Sequence, residues 1–337
     1  MTSSPALTVA DRAHGALLGL ALGDALGMPT QSLPHDRIRS LYGRVDGLLD
    51  AAAVQPIAPG MPAGSVTDDT EQAILLARLL LDGEGHVDAH DFAASLIDWE
   101  QVMISRGSRD LLGPSTKAAL ERLQAGVPVE ETGRHGTTNG AAMRIAPVGI
   151  AVAPGPALLD AVVEACQVTH LTGLGISGAA AVAAAVSAAL DGAGTDEALE
   201  AALQLARQGE RCGSWIAGAS IPARLAAFRP QLRALEPAAR EDFLREVVGT
   251  SVQSQESVVA ALLLVDVGRE DPFAALCTAA SLGGDTDTVA AMAGAVLGAL
   301  HGPGAFPAAA ARQVREVNDL DLPALADELL ALRRRTV

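Results

Sequence analysis

TGLGISGAAAVAAAVSAAL, residues 172–190, carries no charged side chain and is dominated by alanine. Alanine is the strongest helix former, and its single methyl group lets helices pack closely. The stretch is the most alanine-rich of the chain's helical patterns. The rest of the chain agrees with it. Hydrophobic residues make up 49% of the sequence but aromatics only 2%, so the core must be built mainly from Ala, Leu and Val. Helical patterns recur at 12–26, 69–81, 88–103, 114–125, 139–152, 156–168, 195–207, 238–248, 256–267, 272–281, 287–300 and 322–334. Convincing strand alternation is absent. The expected fold class is all-α. No proline-, serine- or charge-rich linker divides the 337 residues, so a single domain is expected throughout.

Charge narrows the function. The net charge is −16, and the only basic cluster is Arg333-Arg334-Arg335, read as a solvated helix end. A surface that neutralises phosphates shows a basic patch, so nucleic acids and anionic membranes are not expected partners. Cys166, Cys212 and Cys277 are scattered and form no CxxC pair. They read as small hydrophobes in a reducing, cytoplasmic setting. The N-terminus has no signal-peptide pattern. Residues 289–311 lack Asp, Glu, Lys and Arg, but Gly302-Pro303-Gly304 and Pro307 interrupt them. They read as a buried helix followed by a turn, not a membrane span.

Two short acidic turns carry the chemistry: Val66-Thr67-Asp68-Asp69-Thr70-Glu71 and Gly283-Gly284-Asp285-Thr286-Asp287-Thr288. Four carboxylates with flanking hydroxyls form an all-oxygen set of the kind Mg²⁺ or Mn²⁺ prefers. If the turns meet in the fold, they suit a two-metal hydrolytic centre. Helix capping is the rival reading, with Asp68 as N-cap and Glu71 completing a capping box. One capping acid per helix suffices, however, and each turn carries two. Other polar residues admit two readings each. Asp24 sits in a helix of small residues, as a buried acid satisfied by backbone groups. Asn139, before Gly140, is either a phosphate- or ribose-binding helix start or an ordinary N-cap. His170 is either structural or functional. Trp99 and Asp110 flank a loop-like Arg106-Gly107-Ser108.

Five segments in order resemble the ADP-ribosylglycohydrolases: GALLGLALGDALG (15–27), VTDDTE (66–71), NGAAMRIAPVG (139–149), Thr169-His170 and LGGDTDTVAAMAG (282–294). The resemblance covers roughly residues 11–302. It implies a single compact, orthogonal helical domain with C-terminal helices within 307–335 packed on it. It also implies a binuclear Mg²⁺ or Mn²⁺ centre held by Thr67, Asp68, Asp69, Asp285, Asp287 and Thr288. The implied substrate is ADP-ribose joined to a protein side chain, arginine first, and Gln31, Asn139, Gly140, Met143, His170, Gly283 and Gly284 are the expected substrate-binding residues. Many relatives carry a glutamate after the Gly-Asp-Ala-Leu-Gly motif, where this chain has Gln31. An amide cannot take a proton from water at neutral pH, so Asp110, together with Asp69, is assigned to catalysis. Two other readings remain open: hydrolysis of a small N- or O-riboside, and a non-catalytic ADP-ribose-binding module.

Overall fold

The computed structural model describes residues 7–105 and 112–333. In chain order they form α1 (Val9–Gly27), α2 (His35–Tyr42), α3 (Asp68–Asp82), α4 (Ala89–Ser105), α5 (Pro114–Gln124), α6 (Val129–Thr132), α7 (Gly140–Met143), α8 (Ala146–Ala151) and α9 (Pro156–His170). The second half adds α10 (Gly173–Leu190), α11 (Thr195–Gly209), α12 (Ile221–Ala234), α13 (Pro237–Phe243), α14 (Ser254–Val267), α15 (Pro272–Ser281), α16 (Thr286–His301), α17 (Ala308–Asn318) and α18 (Leu322–Arg333). Among the described residues there is no strand, only isolated bridges such as Leu33 with Gly284 and Thr138 with Gln253. The all-α expectation holds.

One hydrophobic cluster runs from Ala13 in α1 to Leu332 in α18, so the C-terminal helices belong to the same core. Every residue of α10 is buried. By length and composition this helix suits a bilayer, but buried inside the protein it is a core helix. The 289–311 stretch is the greater part of the buried α16, ended by Gly302 at φ 72°, then a turn and the start of α17.

The central contact is α1 against α16. A Cβ placed on Gly15 would lie 2.2 Å from the Gly298 carbonyl oxygen, and one on Gly19 2.0 Å from that of Gly294. At Gly23 it would lie 2.1 Å from the Ala290 oxygen, and at Gly27 2.3 Å from the Asp287 Cα. No side chain fits at such distances, so the helices meet backbone to backbone. The pairing is antiparallel. It therefore brings the C-terminal end of α1, with Asp24, to the N-terminal end of α16, with Asp287.

The structure revises several expectations. The predicted helix 139–152 is two short helices, α7 and α8, with Pro147 in the first turn of α8. Helices α2, α6 and α12 lie outside the expected set. α12 was masked by Pro222 and Pro230, of which Pro230 sits inside the helix. Arg333 is not a solvated helix end but a buried one. Its Nη1 donates to the carbonyls of Gly149 (3.1 Å) and Val152 (2.6 Å), and its Nη2 to Ser187 O (3.2 Å) and Asp191 Oδ1 (2.6 Å). A cation there satisfies carbonyls at the C-terminal ends of α8 and α10, where helix dipoles favour positive charge. Arg334 and Arg335 lie outside the described residues.

Candidate active site

Neither acidic turn spends its carboxylates on helix caps. The N-cap of α3 is Thr67, whose hydroxyl accepts from the Asp69 N–H, so Asp68 is the first helical residue. This corrects the reading of Asp68 as the cap. Glu71 does not reach back to the cap either, and accepts instead from Trp99 Nε1 at 2.6 Å. Asp285 holds the N-cap position of α16 but makes no capping bond. Its Oδ2 accepts from Asn139 Nδ2, which also donates to Ser257 Oγ. Asn139 therefore orients Asp285 and does not cap α7.

The two turns meet. The Thr288 hydroxyl donates to Asp69 Oδ2 at 3.2 Å across 219 positions of sequence. Beneath them, Asp24 is fully buried and accepts from Thr67 N–H (2.9 Å), Thr67 Oγ1 (2.8 Å), Thr70 N–H (3.1 Å) and Thr70 Oγ1 (2.5 Å). It fastens the start of α3 onto α1. Asp24, Asp69 and Asp287 each place an oxygen within 4.8 Å of the others, close enough to hold a metal ion.

Five carboxylates thus cluster together, Asp24, Asp69 and Asp287 buried and Asp68 and Asp285 half-buried. Two unit charges 4 Å apart repel by about 4 kcal/mol at a protein-like dielectric. Burial raises the carboxyls of Asp68, Asp69 and Asp287 well above the usual range. Neighbouring acids add to this: chiefly Asp24 for Asp68, Asp287 for Asp69 and Asp285 for Asp287. Burial also raises Asp285. Asp24 is pushed to about 6 by burial, partly offset by its threonine donors. Among the described residues, no ion pair joins any of the five to Lys or Arg. Buried Asp69 Oδ1 and Asp287 Oδ1 have no hydrogen-bond partner. Buried oxygens are rarely left so unless an ion or water satisfies them. The all-oxygen donors, the surplus of negative charge and the orphaned oxygens fit a hard divalent cation.

A cavity of about 340 Å³ opens on this cluster. Its wall includes Gln31, Asp68, Asn139, Gly140, Met143, Asp285, Asp287 and Thr288, with Leu112, Gly113, Pro114, Lys117 and Val252. Thr67 and Asp69 stand just behind that wall. Gly283 and Gly284 do not line it. At φ 91° and 79° they form the tight turn that presents Asp285. His170 does not reach the cavity. It has no exposed surface and lies behind Gly140, its ring held between the Thr169 hydroxyl (2.7 Å) and the Thr138 hydroxyl (3.0 Å). This corrects its expected place beside the ligand. Asp110 lies outside the described residues. The sequence reading missed Lys117 and Val252, which carry no motif, and did not place Asp24 beside Asp69 and Asp287.

A family profile described as ADP-ribosylglycohydrolase matches residues 5–336. The chain belongs to the ADP-ribosylglycohydrolase family. It is similar to the uncharacterized protein YegU of Escherichia coli K12, with 35% identity over 328 residues, 96% of this chain and 98% of the relative. An ADP-ribosyl-[dinitrogen reductase] glycohydrolase of Rhodospirillum rubrum is 31% identical over 166 residues, covering 48% of this chain and 52% of its own. A solved structure described as an ADP-ribosylglycohydrolase-related protein complex superposes with a TM-score of 0.69 at 30% identity, covering 96% of this chain and 99% of its own. This ADP-ribosylglycohydrolase is therefore an enzyme of the glycosidase kind, and the acid-lined cavity is its candidate active site.

Proposed function

We propose that this ADP-ribosylglycohydrolase cleaves the glycosidic bond joining ADP-ribose to a protein side chain, arginine first, with two divalent cations, Mg²⁺ or Mn²⁺. The observation that carries the proposal is the junction of the two acidic turns, with Asp69 Oδ1 and Asp287 Oδ1 buried and unpartnered. Asp68, Asp69, Asp285 and Asp287 would hold the cations, with Thr67 and Thr288 supplying hydroxyl oxygens. Bound there, the cations supply Lewis-acid activation of water and orient ribose oxygens.

The side chains divide the remaining work. Breaking a ribosyl C1 bond builds positive oxocarbenium character, which a carboxylate-lined wall stabilises. Asp110 is the proposed acceptor of the water's proton, and residues 112–114, just beyond it in the chain, line the cavity. Gln31 donates its Nε2 to Met28 O at 3.3 Å, which leaves Oε1 as a neutral acceptor at the cavity wall. Such an acceptor suits a guanidinium N–H or a ribose hydroxyl. A guanidinium leaving group also matches the acidic surroundings and the net charge of −16.

A second reading, hydrolysis of a small N- or O-riboside, draws on cavity size. About 340 Å³ is near the lower end of ligand cavities, which run from about 300 to 1,000 Å³. One experiment separates the readings. Protein ADP-ribosylated on arginine, protein ADP-ribosylated on serine, and free ribosides are each incubated with Mg²⁺ or Mn²⁺. Metal-dependent release of ADP-ribose from the arginine-linked protein is expected, falling at least ~100-fold in Asp110→Asn. If both modified proteins stay intact while a free riboside is consumed, the second reading replaces the first.

A further inference from the structure

Behind the cavity runs a line of buried polar contacts that the proposed chemistry leaves unused. Asp68 Oδ2 accepts from Gln72 Nε2 at 3.1 Å, and Gln72 Oε1 accepts from Arg144 Nη1 at 3.0 Å. Arg144 Nη2 donates to Thr169 Oγ1 at 2.6 Å. The line continues through His170 to the Thr138 hydroxyl. The next residue, Asn139, donates to Asp285. One end of the line therefore touches the first acidic turn, and the other end adjoins the residue that orients the second. Gln72, Arg144, Thr169 and His170 have no exposed surface.

Arg144 is the one fixed charge in this line. Its guanidinium lies over the Phe92 ring, 4.8 Å from the centroid, and its buried Nε has no partner. Burying a cation without a carboxylate in direct contact costs several kcal/mol. An apolar side chain of similar length would fill the same space without that cost, so packing alone does not account for Arg144.

Hydrogen-bond logic does. A guanidinium only donates. Facing it, the Gln72 amide must turn its oxygen to Arg144 and its NH₂ to Asp68. The donated bond engages Oδ2 of Asp68 and leaves Oδ1 for the cavity. On the other branch, Thr169 accepts from Arg144, and its hydroxyl is in turn hydrogen-bonded to His170 Nδ1. His170, a neutral imidazole because burial disfavours its charged form, bridges the Thr169 and Thr138 hydroxyls.

We propose that Arg144 is a positioning residue of the active site: acting through Gln72 on one side and Thr169–His170–Thr138 on the other, it sets the orientation of Asp68 and the spacing of the two acidic turns for divalent cations. The proposal rests on the cation reading above.

Titration calorimetry with Mg²⁺ and Mn²⁺ tests it on the wild type, Arg144→Met, Gln72→Met and the double variant. Each single variant is expected to bind ~10-fold or more weakly, the usual effect of removing a residue that orients a metal ligand. The double variant is expected to bind within about threefold of Arg144→Met, because residues acting in series are not additive. A merely structural role lowers thermal stability and leaves the affinities in place. If the wild type binds and both single variants bind within about twofold of it, the positioning role is overturned while the cation reading stands. If the wild type binds neither ion, both fall. Should Arg144→Met fail to fold, Gln72→Met, a near match in volume, decides alone by the same criterion.

Discussion

Asp24 shows how much one buried side chain organises. Its carboxylate takes both backbone N–H groups and both hydroxyls of Thr67 and Thr70. Asp24→Ala leaves those two N–H groups buried without an acceptor, at about 1–3 kcal/mol each. Removing the charge also relieves repulsion on Asp68, Asp69 and Asp287, an opposing effect. That relief disappears once a bound cation offsets the charges, so unfolding is best compared in saturating Mg²⁺. A net loss of about 2 kcal/mol is expected in urea titrations, and an unchanged midpoint would contradict the role given to Asp24. The sequence shows an acid in a helix of small residues and marks it as buried and satisfied by backbone groups, which the structure bears out. The threonine hydroxyls that complete its shell lie 43 and 46 positions away and leave no local sign. The same limit hid Arg144, which stands in a quoted motif although its partners, Gln72 and Thr169, lie far off in sequence. For Asp68 the rival capping reading was off by a single position: Thr67 is the N-cap, and the Asp68 carboxylate is left for the cavity.

Helix pairing turns these residues into a site. Gly15, Gly19, Gly23 and Gly27 recur every fourth residue and lie on one face of α1, against the backbone of α16. That face fixes where Asp24 and Asp287 meet. Gly23→Ala puts a methyl group 2.1 Å from the Ala290 carbonyl oxygen, and α16 must move away. Overpacking of this kind costs about 1–3 kcal/mol. Here backbone meets backbone, with no flexible side chain to yield, so the upper end is expected in denaturant unfolding. Cation affinity should fall with it, because the shift reaches both acids. Gly304→Ala, with open space around its Cβ, is the control that should leave both quantities unchanged. The α1–α16 spacing is visible in the sequence, but which helix answers it is a tertiary fact. Prolines hid α12 in the same way: Pro230 reads as a helix breaker, yet the structure carries it inside the helix. Arg333 reads as one of three solvated charges until the ends of α8 and α10 are seen to converge on it.

At the scale of the whole molecule, folding gathers acids that the unfolded chain keeps apart, and this makes stability depend on pH and on cations together. Burial and mutual repulsion raise Asp68, Asp69 and Asp287 well above the ordinary carboxylate value, and burial raises Asp24 from 3.8 to about 6. A group with a raised pKa binds its proton more tightly in the folded state than in the unfolded state. Its stabilising effect is complete below the unfolded value near 4 and is lost as pH rises through the folded value. For Asp24 alone the loss across that window is roughly 3 kcal/mol. The net charge of −16 acts in the same direction, because deprotonation adds to self-repulsion. The metal-free protein is therefore expected to melt at lower temperature at about pH 8 than at about pH 5. Divalent cations compete with the protons and bind the deprotonated cluster. Saturating Mg²⁺ should raise the melting temperature more at about pH 8 than at about pH 5, with protons released on binding. Thermal scans with and without Mg²⁺ at both pH values measure this directly. Asp287→Asn, which removes one of the repelling charges, should flatten the pH dependence of the metal-free protein. An equal Mg²⁺ increment at both pH values would mean that the acids are not the groups the cation meets.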